Sequence, residues 1–199
     1  RGEESLALAQ EVGDPWLLAH ALHLLGMMAV QAGDFRDARR LFEESLHLSR
    51  GVGDKFVMAM TLGFLAILLR YEGRHEQSRQ LHIEEIALGQ ELKDKRMIAW
   101  GLEGLGWPAE GQGEAGYSGA RTHAVGGWAR AARLMGAAAA LFEPLPLPLP
   151  PPRRAIHDQT VDAARAALGE DAFAAAWAEG RALTLAQAIA DALVETGGT

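Results

Sequence analysis

A segment of forty residues recurs along the first half of the chain, and that recurrence limits the fold more than any other feature. The stretch GDPWLLAHALHLLGMMAVQAGDFRDARRLFEESLHLSR, residues 13–50, falls on itself when moved forward by 40 positions. Gly13-Asp14 becomes Gly53-Asp54 and then Lys93-Asp94, Ala19 becomes Ala59 and Ala99, and Leu22 becomes Leu62 and Leu102. Each copy reads as two helices joined by a tight turn. One such hairpin cannot bury its own apolar face, so a fixed period of this size implies units stacked on one another. No segment alternates with a period of two, so no sheet is expected. The predicted fold is all-α: a right-handed superhelical stack of antiparallel helix pairs with a helical C-terminal cap.

Local signals set the helix ends. Asp14 is an N-cap and Pro15 stands at the first helical position, where its missing N–H costs nothing. Gly33 ends that helix in the left-handed conformation and Asp34 caps the next. The pattern predicts helices over Pro15–Ala32, Phe35–Arg50, Lys55–Glu72, His75–Glu91 and Lys95–Trp107. In the second unit Ser78 and His82 replace Ala38 and Phe42. The third unit departs from the pattern after Trp107-Pro108, and its second helix arrives late, as WARAARLMGAAAALF from Trp128 to Phe142. Residues 111–127, rich in Gly, read as a mobile insertion or a disrupted segment.

The repeat array is therefore assigned to residues 1–142, a proline-rich joint to 143–154 and a helical cap to 155–199. Pro144–Pro152, PLPLPLPPP, reads as extended polyproline-like chain. Thr184 with Gln187 is a capping box that opens the last helix. At the other end, Glu3-Glu4-Ser5-Leu6 aligns with Glu43-Glu44-Ser45-Leu46, so the first unit is truncated and the chain reads as a piece of a longer array. The apolar face left by that truncation, with Leu6 and Leu8, implies self-association through this end or fraying of residues 1–12.

Composition removes several function classes. A net charge of −7 and a longest basic cluster of two residues, Arg153-Arg154, argue against direct nucleic-acid binding. With no cysteine there is no disulfide, thiolate metal site or thiol nucleophile. The longest apolar run, Leu62 to Leu69, stops at Arg70, so no membrane span is expected, and a cytoplasmic location is the default. His20 and His23 lie three apart on one helix but lack the HExxH arrangement, and His47, His75, His82, His123 and His157 form no constellation. The acidic pairs Glu43-Glu44 and Glu84-Glu85 read as a solvated helix face. Neither a phosphate-binding glycine loop nor a Gly-x-Ser-x-Gly elbow occurs. No catalytic residue, metal or cofactor is implied.

The pattern Leu25-Gly26, Gly33, Phe35, Ala38 and Phe42 resembles the tetratricopeptide repeat, with forty residues in place of the usual ~34. The stretches ARLMGAAAAL and VDAARAALGEDAFAAAWAEGRALTLAQAIADAL, separated by the proline run, are similar to the C-terminal end of large bacterial LuxR-type and STAND-type ATP-dependent regulators. That resemblance implies the repeat region of a transcriptional or signal-transduction protein. No nucleotide-binding or DNA-binding motif of those regulators lies in this sequence.

Stacked hairpins curve, and their first helices line the concave side. The positions 40 apart on that face are His20, Met60 and Trp100; His23, Gly63 and Glu103; Met27, Ile67 and Trp107; and Gln31, Tyr71 and Gly111. They vary between units while the Leu stripe stays constant. A groove that binds a protein, a peptide or another domain of the same polypeptide is expected there. Met27, Met60, Ile67, Tyr71, Trp100 and Trp107 would carry affinity, and His20, His23, Gln31, Arg70 and Glu103 are also candidates, with His20, His23, Arg70 and Glu103 setting specificity at the rim. Two alternatives stand beside this: Trp100 and Trp107 pack against the proline segment or the tail, or a small effector sits between Trp100, Trp107 and His23.

Overall fold

The computed structural model describes residues 11–107, 125–143 and 150–194. The upstream partial unit before residue 11, the insertion up to residue 124 and residues 144–149 of the proline run lie outside the described residues. Among the described residues there is no strand. Among the described residues five helices build the array: α1 (Pro15–Ala32), α2 (Phe35–Val52), α3 (Lys55–Tyr71), α4 (His75–Leu92) and α5 (Lys95–Gly106). Four more follow among the described residues: α6 (Val125–Phe142), α7 (Pro151–Leu168), α8 (Glu170–Ala182) and α9 (Leu185–Leu193).

The helix ends are set by capping chemistry. Asp14 accepts a hydrogen bond from Trp16 N at 2.8 Å, Asp34 from Asp37 N at 3.0 Å and Asp94 from Arg96 N at 2.9 Å. Each bond satisfies a backbone donor that the first turn leaves orphaned. Gly33, Gly53 and Gly73 all take positive φ at the turns between helices. At the fourth such turn Lys93 stands in the same conformation, with φ 55°. Thr184 and Gln187 form the expected capping box of α9.

From α1 to α8 each helix packs on the next, and α1 with α3, then α3 with α5, lie side by side. Ala19, Ala59 and Ala99, the recurring small residue, are each wholly buried, as are Leu62 and Leu102. The first core joins Phe42, Leu46, Leu62, Phe64 and Leu65, and the second joins Ile86, Ile98, Leu102, Leu134 and Ile189. α6 supplies the second helix of the third pair, and α9 closes the array by packing on α5 and α6. Arg133 grips Asp191 with two hydrogen bonds of 2.9 and 2.8 Å, and Arg130 donates to Ala192 O at 2.8 Å, neutralising the C-terminal end of α9. α6 and α8 approach so closely that a Cβ on Gly180 would lie 1.9 Å from Arg133 O.

One expectation is corrected here. The proline run is not extended through Pro152: Pro150 is extended, with φ −54° and ψ 144°, while Pro151 and Pro152 already form the first turn of α7. A first-turn residue needs no N–H partner, so proline begins a helix as readily as it ends one. α7 rests lightly on α6 and α8, which pack closely on each other.

Lys93 marks a local strain that its counterparts avoid. Lys93→Gly is expected to raise stability by about 1 kcal/mol, because only glycine takes this conformation without a Cβ conflict. Denaturant unfolding monitored by circular dichroism checks it; an unchanged midpoint would mean that the turn carries no strain.

Candidate functional site

The candidate residues fall into two groups along the first-helix face. In the first unit His20 Nε2 lies 2.9 Å from Asp54 Oδ2, and the Trp16 ring sits tilted against the imidazole, with centroids 4.1 Å apart. Burial would raise the Asp54 carboxyl, but hydrogen bonds from Val57 N, His20 and Phe56 N outweigh it and hold its pKa below the usual value. Met27 and Met60 are partly buried against the first core, while Gln31 and Tyr71 are exposed, with Tyr71 stacked on Phe35 at 5.7 Å.

His23 does not stand at a rim. It is buried between the Phe42 and Phe64 rings, and its Nδ1 lies 2.9 Å from Thr61 Oγ1. Burial and the neighbouring His20 push its pKa down to about 4.

The second group forms a buried ionic node. Glu103 is 1% exposed and Arg70 7%, so neither is a rim residue. Arg153, at the start of α7, is 2% exposed and reaches into the array. Its Nη2 donates to Glu85 Oε1 at 3.1 Å and its Nη1 donates to Trp100 O at 3.0 Å. Its guanidinium lies over the Trp100 ring at 5.1 Å and the Trp107 ring at 5.8 Å, with Arg70 over Trp107 at 5.6 Å. Glu103 Oε2 lies 3.8 Å from Arg153 Nη1, and Glu103 Oε1 accepts from His157 Nδ1 at 2.6 Å. Ile156, one turn beyond Arg153, packs with Ile67 and Trp107.

Sequence reasoning missed Glu85, His82, Arg153 and His157. Glu85 is fully buried, whereas its neighbour Glu84 sits in an exposed pair with Arg50. The signal was available: moved back by 40, Glu85 falls on buried Ser45, not on Glu44. Gly63 leaves room where Arg153 meets Glu85, since a Cβ there would lie 2.5 Å from both Arg153 Nη2 and Glu85 Oε1. His82 is also fully buried, with Nδ1 2.8 Å from Glu85 Oε2. Burial lowers its pKa despite Glu85, so the neutral ring donates from Nδ1. The hydrogen bond to Glu103 raises His157 in spite of burial. His157 and Arg153, both from α7, thus each meet one of the two carboxylates.

The node is a clamp that holds α7 across the first helices. It contains no nucleophile placed beside a base. Among the described residues no group of three or more His, Asp or Glu is placed to hold a metal ion, and no helix is long and apolar enough to cross a membrane. A separate cavity of about 370 Å³ opens on the second-helix side, floored by Leu65, Leu68, Leu69 and Leu81 and edged by Arg39 and Arg74.

The hairpin geometry has a counterpart among known families. Residues 21–56 match the family model of the tetratricopeptide repeat. The match runs from the middle of α1 through α2 into α3, so the array is tetratricopeptide-like. No curated protein and no solved structure matches the chain significantly. Tetratricopeptide repeats generally mediate protein–protein interaction and are typically non-catalytic scaffolds.

The pKa of His23 gives a test with a definite sign. A histidine depressed to about 4 in the fold binds a proton more readily when unfolded, so its stability contribution is complete above pH ~6.5 and is lost as pH falls toward 4. His23→Phe is expected to remove about 3 kcal/mol of the stability lost between pH 7 and 4. Urea unfolding of both proteins across that range measures it, and parallel pH profiles would refute it. His157 runs the other way: its contribution is complete below pH ~6.5 and is lost as pH rises through its raised pKa.

Proposed function

We propose that this chain is a non-catalytic scaffold for binding a protein or peptide, and that it is the repeat region of a larger bacterial transcriptional or signalling regulator. The observation that carries the binding role is α7 itself: the first-helix face already holds a helix, through Arg153 on Trp100 and Ile156 on Ile67 and Trp107. His20, Met27 and Gln31 of α1 and Met60 and Tyr71 of α3 take no part in those contacts. The regulator context is supported by the sequence of the tail alone. A small effector between Trp100, Trp107 and His23 has less support, since Arg153 takes the space against both indoles and His23 is enclosed by Phe42 and Phe64.

Photo-crosslinking residues placed at Gln31 and Tyr71 test the groove against others at Arg40 and Glu44 on the exposed side of α2. Capture of one partner from the groove positions, with none from α2, is expected in cells of the source organism. Capture from α2 alone would move the binding surface to the outer helices.

Self-association is a further part of the proposal. Leu17, Leu24 and Met28 of α1 are 39%, 55% and 53% exposed, whereas their counterparts Val57, Phe64 and Leu68 are 1%, 6% and 3% exposed. The stripe that α2 covers in the second unit is therefore open in the first. Sedimentation is expected to show association that Leu24→Asp with Met28→Asp abolishes; a monomeric parent would refute it.

A further inference from the structure

The seat of Arg153 is more specific than a groove needs merely to hold its own tail. Two carboxylates, Glu85 and Glu103, stand 0% and 1% exposed around it, and Trp100 gives it both an indole face and a backbone carbonyl. A planar guanidinium can donate to Glu85 and to Trp100 O while stacking on both indoles; a lysine ammonium, a point charge on a thin stem, cannot. Gly63 supplies the room in which the Arg153 and Glu85 heads meet.

The occupant, by contrast, presents little apolar area to the groove. Among the described side chains of α7 the buried ones are Arg153, Ile156, Thr160 and Ala164, which fall on one narrow stripe with a single large apolar member. Arg154, Asp158, Asp162 and Arg165 are exposed. A buried ion pair returns little net stability after its desolvation, and a second guanidinium can take the place of the first without leaving a buried charge unpaired. On the groove side, therefore, a seat of high chemical specificity holds little apolar area beyond Ile156, while Val161, Ala164 and Leu168 pack on the core that α6 and α8 share.

We propose that Trp100, Trp107, Glu85 and Glu103 form an arginine-recognition subsite, that its ligand is a helical segment of a partner protein carrying Arg-x-x-Ile, and that α7 is its resident, exchangeable occupant. This rests on the reading of the first-helix face as a protein-binding groove. The partner's arginine replaces Arg153 and its isoleucine replaces Ile156 on Ile67 and Trp107. α7 then leaves the groove.

The probe is a fluorescein-labelled peptide of residues 150–168, titrated by anisotropy into the full chain and into its Ile156→Ala variant, which loosens α7 without leaving a buried charge unpaired. Binding to Ile156→Ala at least tenfold tighter than to the parent is expected, and a peptide carrying Arg153→Lys is expected to bind at least tenfold more weakly. Excess peptide should also speed amide exchange across residues 151–168 of a 15N-labelled parent chain. Equal binding of the Arg and Lys peptides would overturn the arginine subsite and leave the groove reading standing. Continued slow exchange of α7 in Ile156→Ala and in Arg153→Ala would overturn its exchangeability; should Arg153→Ala not fold, Ile156→Ala decides alone. A parent dimer that the peptide dissolves would make a second copy of the chain the ligand, overturning the partner assignment. The crosslinking at Gln31 and Tyr71 judges the groove reading independently of all these results.

Discussion

A carboxylate with no exposure has to find a cation, and the Glu85 side chain finds Arg153 from a helix far along the chain. Water is excluded from both heads, so neither can part from the other without rehydration or a replacement. That one contact fixes where α7 crosses the array. The backbone carbonyl of Trp100, the two indole faces and the Glu103–His157 bond all take their places around it. The arrangement also explains why the second unit departs from the first. Where Phe42 and Ser45 fill an ordinary apolar interface, His82 and Glu85 stand ready for a charged visitor.

The repeating part of the fold was legible because its causes are local. Asp caps, turn glycines and Leu at helical spacing act within a few residues of themselves, so the first helix runs Pro15–Ala32 as expected and the other four end within two residues of expectation. Pro151 is harder to read for the opposite reason. Proline breaks a helix interior but starts a helix, and only the residues C-terminal to it decide which.

The site was legible in part. The period put Trp100, Glu103 and Trp107 on one face, and the structure brings them together around Arg153. It could not reveal what lies on that face, since Arg153 meets Glu85 across 68 positions. Glu85 itself was hidden by its neighbour: an adjacent acidic pair suggests water, while a helix turns about 100° per residue and can place one member outside and the other inside.

The close crossing of α6 and α8 has a mechanical consequence. Gly136 and Gly180 let the two backbones touch, so the helices that flank α7 in the sequence are fastened to each other. α7 is therefore held in sequence between two helices that are fixed to each other. Were it to lift, it would stay within reach of its seat, at an effective concentration on the order of millimolar. A competitor arriving from solution meets that concentration as a threshold. The crossing at Gly136 and Gly180, where Trp177 also meets His157, thus sets how strong a visitor must be before the groove yields to it.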